Sequence, residues 1–430
     1  MIKGAKAWLI LVAVVAVSIG GCFYLADQPE RSMAAKLPEL KERGERFNIP
    51  HKPEDMDRFS PNLPPDESGT EALVAFGTAY ERPETELGPI ERAQAVHENI
   101  ANDQELRTNL EAMLASRGFA YNRQWELGFK VLFPEYAHAK ASVRALSSLA
   151  LYEASQGNEE AAAERFQQAL WVARETTYEQ VLIAGLIRVA GVSLVTQDAL
   201  LAALALDDPE ASASLLRKVV SDIPTEKSFN HYLAGEVYNF ESFRYLGDSK
   251  EFFNMMGSDS LRGVPVHWVF DAGNPTHVDA LVARGLESLL PAMEAYEEDP
   301  LRAYKLMEEL DRQNMDETSF MDLVDGSRLL ARIMLPVYSR SLPAMQMIET
   351  QHDLMLVLAE AIETTGEVIP SALPAEARAA TEMDVAYEPR PGGYAIAIDI
   401  LGDGIQTDLR KFQPGDDRPP TDVVLIATLP

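Results

Sequence analysis

Glutamate and histidine side chains recur at a spacing that can hold a metal ion. Glu135 and His138, and again Glu349 and His352, each form a Glu-x-x-His motif. On a helix this spacing places a carboxylate and an imidazole on one face. Two such motifs, with one glutamate from each of two further helices, form the di-iron site of some helical bundles. The alternative is structural, because Glu135 follows Pro134 at a helix start, where an acid favours the helix dipole.

Aspartates near the C-terminus could bind a different metal. Asp403, Asp408, Asp416 and Asp417 offer hard carboxylate oxygens, which are the ligands that calcium prefers. Their spacing does not follow the regular pattern of an EF-hand loop, and Asp-Gly pairs are also common in tight turns. Calcium binding and an exposed loop are therefore the two interpretations of this segment.

Signatures of enzymatic chemistry are scarce. The sequence contains no Gly-rich phosphate loop, no Gly-x-Ser-x-Gly elbow and no His-Glu-x-x-His motif. Glu236 and Glu241 lie close in sequence to His231 and could act as an acid–base pair only if the pKa of one carboxyl group were raised. The sequence therefore assigns no catalytic residue.

The only cysteine, Cys22, lies near the end of an uncharged apolar stretch, residues 7–26. About twenty apolar residues span a bilayer as a helix, so one interpretation is an uncleaved signal anchor. The Ile-Gly-Gly-Cys sequence at 19–22 resembles the bacterial lipobox, which makes Cys22 a candidate for lipidation. A cleaved signal peptide is the third interpretation, although the bulky residues at 23–25 leave no small-x-small cleavage site there.

Two of these three interpretations leave the protein tethered to a membrane. Positive charges before an apolar segment favour the cytoplasmic side, so Lys3 and Lys6 predict that residues 27–430 lie outside the cytoplasm. The predicted location is membrane-anchored and extracytoplasmic, in the periplasm or cell envelope of a bacterium.

The composition excludes some functions. The chain has 430 residues with 38 basic and 67 acidic side chains, which gives a net charge of −29. Such a surface repels phosphate backbones, so we expect no nucleic-acid partner. No cysteine follows Cys22, so the exported part forms no disulfide and has no thiolate chemistry.

The elements that must position these residues are mainly helical. Residues 68–385 are rich in Ala, Leu and Glu, with apolar residues at i, i+3 and i+4, which predicts an α-helical body. Asp-Pro pairs at Asp208 and Asp299 predict helix starts. Before this body, residues 27–67 contain seven prolines among charged residues, which is typical of a semi-extended linker.

The C-terminal residues 386–430 have a different pattern. Apolar residues alternate over 394–400, and a second apolar run covers 422–428, which together predict a small β-hairpin packed on the helical body. The predicted fold class is therefore mainly α, with a small β tail after the N-terminal membrane helix.

One helical hairpin, at about residues 143–176, carries a repeat-like pattern. After Gly157, a small residue follows at Ala162, an aromatic residue at Phe166 and a second small residue at Ala169. This pattern resembles the tetratricopeptide repeat, whose hairpins more often bind proteins than catalyse reactions. Its neighbours keep the helical period without the signature. The sequence thus predicts an irregular array or bundle of hairpins, and the alternative is a helix pair merely packed in a core.

The wider pattern resembles a group of bacterial proteins. The Phe-Ala-Tyr-Asn-Arg-Gln-Trp sequence at 119–125, the hairpin, the long Ala/Leu helices and the segment at 394–404 resemble helical, N-terminally anchored envelope proteins of planctomycete-type bacteria. The resemblance covers most of residues 68–410. It implies an anchor, a helical body and an exported location. It transfers no catalytic residue, because that group has no assigned activity.

The C-terminal part also resembles the last segment of type II secretion pseudopilins. The residues that carry this resemblance are Gly366, Pro370, Leu373, Gly393-Tyr394, Gly402-Asp403-Gly404 and Asp416-Asp417. In that family the aspartate loop can bind calcium, so the resemblance implies the same for this segment. The N-terminal cleavage motif of pseudopilins is absent, and we do not expect the protein to be a pilin subunit itself.

These observations predict a membrane-tethered, extracytoplasmic helical scaffold that binds another protein. Two alternatives come from other classes. One is an envelope hydrolase with an acidic cleft, and the other is an accessory component of a secretion or envelope complex. Converging carboxylates in a closed pocket would favour the hydrolase, whereas an open groove lined by apolar and aromatic side chains would favour the scaffold.

Overall fold

A computed structural model describes most of the chain. Within the described residues there are fourteen α-helices and three β-strands, which confirms the prediction of a mainly α fold with a small β segment near the C-terminus. The described residues are 28–83, 86–225, 229–245, 270, 272–315, 327–328, 330–331, 335, 339, 341–381, 383–399, 409 and 422–428.

The helices begin where the sequence offers caps. Asp208 accepts a hydrogen bond from the backbone N–H of Ala211 at 3.1 Å, and Asp299 accepts one from that of Arg302 at 3.1 Å, which confirms both predicted helix starts. The helices are α1 Leu37–Gly44, α2 Pro53–Met56, α3 Thr70–Ala79, α4 Pro89–Asn102, α5 Gln104–Ala115, α6 Glu135–Ser155, α7 Glu159–Glu175, α8 Leu182–Leu206, α9 Pro209–Val220, α10 Phe229–Glu241, α11 Pro275–Tyr296, α12 Pro300–Met315, α13 Ser341–Thr365 and α14 Ala375–Arg378. Short 3-10 segments lie at Glu45–Phe47, Asp57–Phe59, Trp125–Lys130 and Ser242–Tyr245.

The chain divides into two compact units. Unit one comprises Met1–Asp55, Gln124–Val131 and Ala234–Tyr338. Its framework is α11, on which both α1 and α12 pack. Unit two comprises Met56–Arg123, Leu132–Leu233 and Ser339–Pro430.

Helix α1 corrects one prediction. Residues 27–67 predict a semi-extended linker, whereas α1 is a helix with Leu37 and Leu40 buried. The physical reason is that these leucines are three residues apart and form an apolar edge, while Pro38 lies in the first helical turn, where no backbone N–H is needed. Lys36, the residue before α1, forms an ion pair with Glu287 of α11, with 2.8 Å between the amine nitrogen and the carboxylate oxygen.

Successive helices of unit two pack on one another in a regular order. Helix α6 packs on α7 and α8, α7 packs on α8 and α9, and α8 packs on α9. Helix α13 packs on both α8 and α9, and α3 and α4 both pack on α6. Unit two is therefore a layered array of helices.

Helix α8 lies at the centre of unit two. Among the described residues it is the one helix long and apolar enough to cross a membrane, and most of it is buried by its neighbours, as in the core helix of a folded domain. Gly191 allows a close approach to α7, because a Cβ atom there would lie 3.0 Å from Cβ of Ala173. Apolar composition therefore serves helix packing here.

A three-stranded antiparallel sheet follows the helices of unit two, with β1 Val385–Arg390, β2 Gly393–Asp399 and β3 Asp422–Thr428 in that order. The two predicted strands correspond to β2 and β3. The predicted two-stranded hairpin was wrong in one respect, because β1 adds a third strand beside β2. The sequence pattern missed β1 because it lacks alternation and contains Pro389, which an edge strand tolerates. Gln197 of α8 donates a hydrogen bond to the carbonyl oxygen of Ile426 at 2.8 Å, so β3 is joined to the helical core.

Candidate functional site

Several predicted site residues lie outside the described residues. They are Cys22, the lipidation candidate, and Asp403, Asp408, Asp416 and Asp417, the calcium candidates. Lipidation and calcium binding at these positions therefore stay predictions.

Glu135, a di-iron candidate, is part of a buried ion-pair cluster in unit two. The guanidinium of Arg123 donates hydrogen bonds to Glu135 at 2.8 Å and to Glu179 at 2.6 Å. The rings of Tyr121 and Phe133 lie 4.6 and 4.8 Å from the guanidinium carbon. Glu135 thus neutralises a buried arginine at the start of α6, and His138 lies one turn further along this helix.

The second Glu-x-x-His motif lies on α13. Glu349 is exposed, and His352 Nδ1 lies 3.0 Å from an oxygen of Asp353. The other oxygen of Asp353 accepts a hydrogen bond from Thr381 at 2.8 Å. Among the described residues, no group of three or more His, Cys, Asp or Glu side chains is arranged to hold a metal ion. The described part of the chain does not bring the four di-iron candidates together as such a group.

Glu241 is a buried anion in unit one, whereas the sequence offers it as one half of an acid–base pair. Its oxygens lie 2.7 Å from the Lys41 amine, 3.0 Å from His51 Nδ1 and 2.7 Å from the Arg244 guanidinium. Burial opposes ionisation of this carboxyl group, but hydrogen bonds from these three side chains outweigh it and lower the pKa to about 2. Glu241 therefore stays ionised near neutral pH and does not serve there as a proton donor.

A groove on the outer face of α7 is the candidate binding site of unit two. It has a volume of about 410 Å³. Its wall combines Trp171, which is half-buried, with Leu114 from the end of α5. Polar side chains of α7 line one edge, namely Glu164, Gln167, Gln168 and Arg174, and Ser116 and Asp222 complete the lining. The groove therefore offers a flat aromatic surface beside several hydrogen-bonding groups.

The indole of Trp171 packs against a buried aromatic side chain. The ring of Phe119, which is fully buried, lies 5.3 Å from that of Trp171. Two residues further on, the backbone N–H of Tyr121 donates to the hydroxyl of Tyr178 at 2.9 Å, and the Tyr121 hydroxyl donates to the carbonyl oxygen of Thr176 at 3.2 Å. These bonds join the segment before α6 to the end of α7. The aromatic wall is thus preorganised by buried packing.

The groove residues are not among the residues that the sequence predicts as a site, although their pattern on α7 carries a signal. On α7 the buried residues Ala162, Phe166 and Ala169 mark the core side. Glu164, Gln168 and Trp171 follow the helical period on another face and are not needed for that core. A tryptophan on the polar face of an amphipathic helix indicates a binding surface, because aromatic residues are enriched at the centres of interfaces.

Chemically, the groove is suited to binding a peptide segment. Its glutamine side chains can donate to and accept from a peptide backbone, and its indole can cover an apolar side chain. Its charged side chains are Glu164, Asp222 and Arg174, and its described lining residues include no histidine or cysteine. Comparison of the chain with protein-family models, curated proteins and solved structures found no match.

Proposed function

We propose that the protein is a membrane-tethered, extracytoplasmic helical scaffold and that the groove beside Trp171 binds a segment of another protein. The single observation that carries the proposal is this groove, in which a preorganised indole lies next to glutamine side chains on an exposed helix face. Interfaces of this kind draw most of their binding energy from a few central aromatic residues.

The packing of unit two supports a scaffold of stacked hairpins. The hairpin α6–α7 is followed by the hairpin α8–α9, and corresponding helices pack on each other, α6 on α8 and α7 on α9. In repeat scaffolds each hairpin contacts its neighbour in this way. The small and aromatic residues at Ala162, Phe166 and Ala169 are buried, as a tetratricopeptide-like hairpin requires.

The tether is the second part of the proposal. It rests on the apolar segment 7–26 with its preceding lysines, from which we expect residues 27–430 to lie outside the cytoplasm. A partner held in the groove would then be kept near the membrane surface.

Site-specific photo-crosslinking tests the groove. Gln167 is exposed at its edge, so a benzophenone amino acid at this position in the full-length protein should form an adduct with a partner in the native envelope. Glu210, exposed on α9 and absent from the groove, is the matched control position. We expect an adduct from position 167 and none from position 210.

A second substitution makes the test specific. Trp171→Ala combined with the probe at 167 should reduce the adduct at least tenfold, and Trp171→Phe, which keeps an aromatic ring on Phe119, should restore part of it. An adduct that is unchanged in Trp171→Ala, or no adduct at position 167 in the parent, would overturn the proposal.

A further inference from the structure

Three arginines of unit two form a cluster, and within the described part of the chain none of them forms an ion pair. Arg82 follows α3, Arg92 lies on α4 and Arg144 lies on α6, and both α3 and α4 pack on α6. Arg82 is exposed, whereas Arg92 and Arg144 are half-buried. Such a cluster is unusual in a chain with 67 acidic and 38 basic residues, where an arginine ordinarily finds a carboxylate.

These guanidinium groups have few partners. Among the described residues, Arg82 and Arg144 have no hydrogen bond or ion pair, and Arg92 donates one hydrogen bond, of 3.4 Å, to the carbonyl oxygen of Leu87. The pKa of Arg144 is lowered, first by burial and then by the repulsion of Arg82, with Arg92 acting in the same direction. The cluster therefore leaves donors and positive charge unused.

A buried hydroxyl group lies among these charges. Tyr80 is 9% exposed, and its ring stacks on that of Phe76 at 5.6 Å. Its hydroxyl is fully buried and has no hydrogen-bond partner among the described residues. Burial raises the pKa of this phenol, and the charges of Arg144, Arg82 and Asp198 also act on it. A buried hydroxyl without a partner costs free energy, so this group is available to a ligand.

One carboxylate faces the cluster. Asp198 of α8 accepts a hydrogen bond from Ser147 of α6 at 2.7 Å, and burial raises its pKa to about 6. Arg92 and Arg144 both act on this carboxyl group through their charges. The three arginines and this aspartate together carry a charge of 3 − 1 = +2 at neutral pH. A dianion would balance this charge, whereas a monocarboxylate would leave half of it.

We propose that Arg82, Arg92, Arg144 and the hydroxyl of Tyr80 bind a tetrahedral oxyanion of the sulfate or phosphate type. Several guanidinium groups can each donate to a different oxygen of such an anion, and the phenol can donate to one more. The exposed Arg82 leaves the site open to solvent. The net negative charge of the chain does not prevent binding, because charges farther than about 8 Å are largely screened at physiological salt.

Equilibrium dialysis with radiolabelled sulfate tests the site. The full-length protein, in a non-ionic detergent at pH 7.5, is measured at constant ionic strength set by sodium chloride. We expect one saturable sulfate per chain, with acetate at equal ionic strength unable to displace it. Displacement by inorganic phosphate alone indicates a site for the free ion, and displacement by phenyl phosphate as well indicates a site for an esterified group. Both results support the oxyanion site.

Substitutions with opposite expected effects sharpen the test. Arg144→Met should weaken sulfate binding at least tenfold, because it removes a charged donor. Asp198→Asn should strengthen it, because it removes the one negative charge and keeps the hydrogen bond from Ser147. Arg217→Met is the matched control: it makes the same change of charge in unit two, in an exposed ion pair with Glu363, and should leave the affinity unchanged.

The folded state of these variants has its own control. Without sulfate, Arg144→Met should melt at or above the temperature of the parent, since it relieves repulsion among the three arginines. If this variant does not fold, Arg92→Met serves in its place. No saturable sulfate binding by the parent, or equal affinity in the parent and the arginine variant, would overturn the proposal.

Discussion

Arg123 shows how this protein accommodates a buried charge at the scale of one residue. Its side chain and that of Glu179 are 5% and 1% exposed, and both would be costly to bury alone. The hydroxyl of Tyr136 also donates to Glu179, and the rings of Tyr121 and Phe133 flank the guanidinium. The sequence pattern did not predict this cluster, because Glu179 lies in the loop between α7 and α8, 56 residues after Arg123.

Removing this arginine should strongly destabilise unit two. We expect Arg123→Leu to lower the free energy of unfolding by about 3 kcal/mol, since Glu179 would stay buried without its cation. Urea-induced unfolding of the full-length protein in detergent, followed by circular dichroism, measures this loss. Arg217→Leu, which breaks exposed pairs with Glu360 and Glu363, should cost about 1 kcal/mol or less. Equal losses in the two variants would contradict this prediction.

Glu241 predicts a dependence of stability on pH. Its pKa is about 2 in the folded protein and 4.5 when unperturbed, so the unfolded chain binds the proton more tightly. Stability from this group is therefore present above pH 4.5 and is lost as the pH falls towards 2, by about 3 kcal/mol in all at 1.36 kcal/mol per pKa unit. The difference in unfolding free energy between the parent and Glu241→Gln should be largest at pH 7 and shrink below pH 4.5. A difference that is constant with pH would contradict it.

At the scale of elements, sequence periodicity predicted those helices and strands whose pattern lies within a single segment. The i, i+3, i+4 pattern predicted helices, and the alternation over 394–400 predicted β2, because each pattern reports which side of one element is buried. Strand β1 and helix α1 were missed for related reasons. Strand β1 is a short edge strand with Pro389, and α1 lies in a proline-rich region whose composition alone favours a linker.

The contact between α7 and α8 gives a prediction at this scale. Gly191→Leu should lower the free energy of unfolding by about 1–3 kcal/mol, because even a Cβ atom would meet Cβ of Ala173 at 3.0 Å. Thermal and urea unfolding measure the change. Gly157→Asn is the control: this glycine, between α6 and α7, has φ +76° and nothing within 4 Å, and asparagine tolerates that conformation. The prediction fails if the control substitution is the more destabilising of the two.

At the scale of the whole molecule, the tether is open to direct test. We expect the full-length protein to stay in the membrane fraction after a carbonate wash. Cys22→Ala separates the two tethered interpretations, since loss of the sulfur prevents acylation and leaves an apolar span intact. Retention of this variant in the membrane indicates a spanning anchor, and its release indicates a lipid anchor. Recovery of the parent in the soluble fraction would contradict the tether.

The sequence by itself determined properties that depend on composition and on local order. These are the mainly helical class, the caps at Asp208 and Asp299, two of the three strands and an apolar N-terminal segment with Cys22. Helix propensity, capping and strand alternation act over a few residues, so one chain suffices to detect them.

The tertiary structure alone decided which distant residues meet. Arg144 lies 62 positions after Arg82 (144 − 82), and Lys41 lies 200 positions before Glu241 (241 − 41), yet each pair interacts in the folded chain. The groove beside Trp171, the buried Glu241 and the cluster of Arg82, Arg92 and Arg144 all arise in this way. Charge balance, burial and hydrogen-bond satisfaction depend on neighbours in space, and packing of the core selects those neighbours.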